Sequence, residues 1–245
     1  MTQSTAIMGN LSKDMRNEME SVARSIAKNS VTSATDLAKS YYYLASAGMD
    51  ANQAIGALPV VEKFAVAGAF DMAKATDLLA DSQSALGLSS KNAAVHQANL
   101  TRVSDVLTKA NILANGSVQQ FAEALTNKAA GALRHLKKDV EEGVAVLAAF
   151  ADQGLKGAAA GEALNIVLRD LQQAVINNKE VWSQLGMSVY NARGKMLPLA
   201  DIIGQLEKKF SSMSDKQKKE TAMMLGFQER SFSAIQMLVG LSAQI

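Results

Sequence analysis

Apolar residues recur along the chain at intervals of three and four, the spacing of one face of an α-helix. Leu100, Val103, Leu107 and Ala110 share one such face, as do Leu164, Val167, Leu168, Leu171 and Val175, and again Leu199, Ile202, Ile203, Leu206 and Phe210. Each set predicts a buried stripe. Valine and isoleucine rarely alternate with polar neighbours, alanine is abundant, and proline occurs only at positions 59 and 198, so helix is favoured almost everywhere. The predicted fold class is all-α.

Glycine followed by a capping or acidic residue marks the joints between helices: Gly48 before Asp50, Gly68 before Asp71, Gly87 before Ser89, and Gly116 before Ser117. The first three of these glycines lie 20 and 19 residues apart, the length of a helix plus its turn, while the next spacings, 29 and 38, break the pattern. This predicts antiparallel helical hairpins stacked into a compact helical domain, without the strict period of a solenoid.

One stretch departs from the helical pattern. Met187–Tyr190 and Lys195–Leu197 are two brief extended runs around Asn191-Ala-Arg-Gly194, which fits a small β-hairpin near residues 187–197. The expected organisation is therefore an N-terminal amphipathic helix over 1–30, a main helical core over 31–186, and the hairpin with a smaller helical unit over 187–245. Ser214 and Gln217 have the spacing of a capping box and should open a helix running toward Leu225. A final helix is expected from about Gln228, apolar through Ile245. It ends with no glycine, proline or charged closing turn, as expected of a segment of a longer protein.

Composition narrows the function classes. With 245 residues, 48% of them apolar, the chain has enough material for a sizeable core. The net charge is only +2. The densest basic tracts, Arg134–Lys138 and Lys208–Lys219, are interrupted or followed by Asp139, Glu141, Asp215 and Glu220, which reads as solvated helix faces and gives no specific nucleic-acid footprint. The absence of cysteine excludes a disulfide framework, a thiol nucleophile and a thiolate zinc site, in keeping with a reducing cytoplasm. Asp14, Glu18 and Glu20 interrupt the first 30 residues, so neither a secretory signal nor a transit peptide fits. The longest near-apolar stretch, Ala54–Phe70, holds Glu62 and Lys63 at its centre after Pro59, which disfavours a membrane span.

The chemistry-bearing residues form no catalytic pattern. His96 and His135 lie in polar helical contexts with no second ligand three or four residues away, and read as surface imidazoles. No G-x-S-x-G elbow and no glycine-rich phosphate loop followed by lysine is present. Adjacent Glu141 and Glu142 would point about 100° apart on a helix and cannot flank one glycosidic bond; with Asp139 they suit a helix N-terminus. Glu20-Ser21 lacks the downstream glutamine and glycine pattern of lytic transglycosylases. No active site and no cofactor are expected.

Gly48, Gly68, Gly87, Gly116, Gly154, Gly157, Gly161 and Gly226 are read as structural turns or close helix crossings. Gly157-Ala-Ala-Ala-Gly161 is the small-residue spacing that lets helices touch inside a fold. Tyr41, Tyr42 and Tyr43 sweep around a helix, so at least one should face solvent or a partner. Twelve methionines add adaptable packing.

Four passages resemble the core region shared by phage and prophage tail tape measure proteins. They are residues 44–69 (LASAGMDANQAIGALPVVEKFAVAGA), 103–134, 139–171 (DVEEGVAVLAAFADQGLKGAAAGEALNIVLRDL) and 199–232, in that order, and the resemblance extends over about residues 33–245. It implies a long, mostly helical structural protein, present in the host cytoplasm during assembly and then in the lumen of the virion tail, whose length helps set tail length. The implied partners are the tail tube protein, tail assembly chaperones, tail tip or baseplate proteins, and further copies of itself.

As one continuous helix the chain would span on the order of 370 Å. Its glycine joints predict compact folding instead. The matching passages are not catalytic in that family, so the resemblance carries over no active-site residue. Two other readings are a membrane-active segment that touches the host membrane transiently during genome passage, through Ala54–Phe70 and Phe232–Ile245, and a helical adaptor that reuses the tape-measure core.

Overall fold

The computed structural model describes residues 7–245; of the helix expected over 1–30, residues 1–6 lie outside the described ones. Ser12, Ser33, Asp50 and Asp71 each accept a backbone N–H three residues on, and so open α1 (Lys13–Ala27), α2 (Ala34–Ser46), α3 (Ala51–Gly68) and α4 (Met72–Ala85). At Asp50 the cap is reciprocal, because the Gln53 side chain returns a bond to the Asp50 N–H. The next helix, α5 (Ala93–Leu113), is opened by Asn92, not by the expected Ser89: the Asn92 carboxamide accepts the Val95 N–H at 3.1 Å.

The chain then forms α6 (Val118–Ala124), a five-residue break (Leu125–Ala129) and α7 (Ala130–His135). There follow α8 (Val140–Asp152), α9 (Gly157–Asn177), α10 (Lys179–Gln184), α11 (Leu199–Phe210), α12 (Asp215–Leu225) and α13 (Glu229–Leu238). The capping box expected from sequence at Ser214 is formed, and Ser117, expected only as a capping residue, also forms one with Gln120. The last helix is shorter than expected. It stops at Leu238, and the Glu207 carboxylate on α11 is held below its ordinary pKa by the Ser242 hydroxyl and by the backbone at Gly240 and Ser242, against some desolvation. The chain turns to make those bonds, so the helix cannot run on to Ile245.

The β-hairpin expected near residues 187–197 is not formed as two strands; no strand occurs among the described residues. One antiparallel bridge, Tyr190 with Met196, is all that pairs. Local side-chain bonds compete with the ladder: Asn191 Oδ1 accepts from both Arg193 and Lys195 N–H, and the Ser188 hydroxyl bonds to Tyr190. Met187, Val189 and Met196 of this loop are buried, and Gln205 of α11 accepts the Ser188 N–H at 2.8 Å.

The chain divides into two units after Lys109, inside α5. In the first unit α2, α3 and α4 each pack on the other two, and α1 packs on α2 and α3. Its core holds Met19, Leu37, Tyr41, Leu44, Leu58, Val61, Phe64 and Leu79, with Leu100, Val103 and Leu107 from the predicted stripe. Glu62, in the near-apolar stretch, is buried and accepts the Ser30 hydroxyl, while Lys63 is exposed. In the second unit α9 is the hub: α6, the break, α7, α8, α10 and α13 all pack on it. The stripes on α9 and α11 are buried as predicted, apart from the half-buried Val175, and Phe210 meets Phe232 edge to face at 6.4 Å.

Candidate interaction surface

Among the described residues no group of three or more histidines and carboxylates is placed to hold a metal ion, and no helix is long and apolar enough to cross a membrane. The polar chemistry of the molecule is instead spent at joints between helices.

The glycines singled out from sequence fall into distinct geometries. Gly48, Gly87, Gly154 and Gly226 have left-handed backbones with φ of +85, +72, +86 and +95°, and Gly157 has +58°. Gly68 is different: it is the last residue of α3, and the left-handed position beyond it is taken by Ala69 at φ +54°. At Gly116 an added Cβ would lie 2.6 Å from the Phe121 ring, so this turn is packed against its own helix. At Gly161 a Cβ would lie 2.1 Å from the Ala124 carbonyl oxygen, which makes this the point where backbone meets backbone.

The histidines separate in a way that sequence did not anticipate. His135 is exposed, but His96 is only 5% exposed. Its Nδ1 accepts the Ser90 N–H at 3.4 Å, which leaves the neutral ring's proton on Nε2, a buried atom without a partner. Burial pushes the His96 pKa down, opposed in part by the charge of Asp50. Gln83 donates to the His96 carbonyl at 2.9 Å, Gln53 donates to the Ser90 carbonyl at 2.6 Å, and Asn99 to the Leu88 carbonyl at 2.8 Å. Three amides thus brace the loop between α4 and α5.

A shallow pocket of about 230 Å³ beside this loop is lined by Gly48, Met49, Gln53, Ser89, Ser90, Lys91 and His96, among others. Ser90 reaches the ring through its N–H, while its hydroxyl accepts from Asn92, so the pair is not a nucleophile with its base. A second pocket, about 400 Å³, lies between Ala132 and His135 of α7 and Asn165, Arg169, Gln172, Gln173 and Ile176 of α9. Arg169 is already engaged by Asp170, Nε to Oδ1 at 2.8 Å.

Glu141 and Glu142 do sit in the first turn of α8, behind Asp139. Glu142 has a further role that its sequence context hides. Its carboxylate pairs with Lys138 Nζ at 2.8 Å and also receives the Leu199 N–H, the first of α11. Lys138 in turn donates to the Leu197 carbonyl at 2.5 Å. One ion pair therefore joins the start of α8 to the start of α11.

The large apolar side chains left in solvent include Tyr42, Val31 and Val66 in the first unit and Ile176, Met223 and Met224 in the second. Of the three tyrosines, Tyr41 is buried with its hydroxyl on the Met19 carbonyl at 3.0 Å, and Tyr42 is the one facing solvent. Large apolar side chains are thus exposed on each of the two units.

The chain is similar to known proteins. The family model of phage-related minor tail proteins matches residues 6–226. A tape measure protein of Pneumococcus phage Dp-1 is 28% identical over 225 residues, which is 92% of this chain and 19% of that protein. A probable tape measure protein of Escherichia phage P2 is 27% identical over 188 residues, 77% of this chain and 22% of that protein. The chain therefore spans about a fifth of the length of the curated relatives it matches. No solved structure matches it.

Proposed function

The chain belongs to the family of phage-related minor tail proteins, and from that premise we propose that it is a segment of a tape measure protein, a structural component of a phage or prophage tail. The observation that carries this reading is the family match over residues 6–226, together with two relatives that bear the tape measure name. The role is structural rather than catalytic. In it the segment enters the tail lumen from the host cytoplasm and helps organise assembly, contacting the tail tube protein, assembly chaperones, tail tip proteins and copies of itself.

Length measurement, in this reading, belongs to the parent protein as a whole. A helix rises about 1.5 Å per residue, so residue number converts to distance only where the chain is extended. The joints described above shorten this segment relative to one continuous helix.

In-frame deletion of this segment from the parent gene tests the proposal, with tails imaged by electron microscopy and particles checked for its peptides by mass spectrometry. Absent or malformed tails are the expected result. Tails shortened by on the order of 370 Å would instead make the segment an extended part of the ruler. Normal tails that fail to deliver DNA would favour the membrane-active reading. Normal, infectious particles that never contained the segment would overturn the structural role and favour a free-standing adaptor.

A further inference from the structure

Residues 118–135 are almost one helix. Ala124, Leu125, Ala129 and Ala130 all have α-helical backbones, and only Asn127 (φ −88°, ψ 75°) and Lys128 (φ 72°, ψ −28°) depart from it. The stretch contains no proline, and five of its 18 residues are alanine with Gly131 the one glycine, so its local preference is still for helix. Lys128 holds a left-handed conformation that a non-glycine residue adopts only at a cost. The break therefore opposes local preference, and something outside the stretch must hold it.

What holds it is the beginning of α9. Asn127 Nδ2 donates to the Ala158 carbonyl at 2.8 Å, and Lys128 Nζ lies 2.8 Å from Glu162 Oε2. Gly161, between them, has no side chain, and a Cβ there would fall 2.1 Å from the Ala124 oxygen and 2.8 Å from the Asn127 oxygen. The start of α9 carries no side-chain cap of its own, and Glu123 Oε2 lies 3.4 Å from the position a Gly157 Cβ would take. A carboxylate beside a helix N-terminus is favourable. The bent form and the first two turns of α9 thus support each other through Gly157, Ala158, Gly161 and Glu162.

We propose that Leu125–Ala129 is a hinge with two states: bent and docked on α9, as seen here, or straight, with residues 118–135 forming a single helix once α9 is withdrawn. Reorienting two residues is enough to interconvert them. The straight form is an 18-residue rod about 27 Å long and frees α7 from α9. The inference rests on the geometry of this joint and stands whether or not the segment measures tail length.

The chain has no cysteine, so a Gln119→Cys, Arg134→Cys pair can carry spin labels at two defined positions. Pulsed electron resonance on the full chain then reads their separation, about 22 Å between backbones if the helix is continuous. Gly161→Ala should raise the population at that distance at least fivefold, because its methyl group cannot coexist with the docked carbonyls. Lys128→Gly without the Gly161 change should leave that population no larger, since glycine adopts the left-handed state freely and weakens the straight helix. Lys128→Gly alone should raise the thermal midpoint.

An unchanged distance distribution in folded Gly161→Ala would overturn the hinge, as would a lowered midpoint in Lys128→Gly. If Gly161→Ala does not fold, the Asn127→Ala, Glu162→Ala pair removes the cross-links without adding a clash. Absence of the straight population there would also overturn it.

Discussion

The Lys138 ammonium lies 2.8 Å from the Glu142 carboxylate, one helical turn further along the chain, and its side chain is only 5% exposed. Because the same carboxylate receives the first N–H of α11, the pair satisfies groups that are 57 residues apart in sequence. Removing one partner leaves the other charge buried and uncompensated, which is far more damaging than removing both.

Glu142→Ala should therefore destabilise the second unit by about 3 kcal/mol. The double change Lys138→Met, Glu142→Gln should cost clearly less than the sum of the two single changes. Urea unfolding of Glu142→Ala, of the two single changes and of their double measures both. Equal, small losses would mean that the pair is solvated and contributes nothing.

Two left-handed glycines make a controlled comparison. A Cβ at Gly226 would lie 2.2 Å from Asn178 Nδ2 and 3.2 Å from the Ala174 Cα, whereas one at Gly154 would meet nothing within 4 Å. Gly154→Ala should cost only the left-handed penalty, about 1 kcal/mol, while Gly226→Ala adds overpacking for a total of about 3 kcal/mol. Thermal midpoints of the two variants check the difference.

The first unit should weaken on mild acidification. Burial lowers the folded pKa of His96, so below about pH 6.5, where a free imidazole gains its proton, the unfolded chain binds protons that the folded chain does not. Stability is fully present above that pH and is lost as pH falls through the folded value. Protection factors of the amides from Leu88 to His96, taken relative to the slower intrinsic exchange in acid, should fall between pH 7 and 5, and His96→Asn should flatten the dependence. An identical pH profile in the variant would rule out His96 as its source.

Tyr41→Phe tests the docking of α1. It removes the hydroxyl that donates to the Met19 carbonyl and should cost about 1 kcal/mol. Protease cleavage within Lys13–Ala27 should become faster while the second unit keeps its resistance.

Much of the helical architecture was legible because it is written in short-range patterns. Leu199, Ile202, Ile203, Leu206 and Phe210 announce their shared face, and Ser214 with Gln217 announces a cap, since both signals lie within one or two turns. What escaped the sequence depends on groups far apart along the chain. His96 looked solvated because its neighbours are polar, yet Gln53 and Gln83 fold those neighbours into a bonded loop around it. The strand-like run at 187–190 met side chains, Ser188 and Asn191, that bond the local backbone and outcompete a ladder. The break at Asn127 and Lys128 leaves no local mark at all, because its cause is Gly161 on another helix.

Trp182 is the chain's one tryptophan, and it is 2% exposed, with its indole N–H donating to the Leu225 carbonyl at 3.0 Å and its ring edge to face with Phe227 at 5.8 Å. The one indole, which can be excited apart from the tyrosines, therefore lies in the second unit. Emission reports the melting of α10 against α12, while circular dichroism, which sums over all helices, reports both units. A gap between the two melting curves would count the cooperative blocks of this chain without any label being attached.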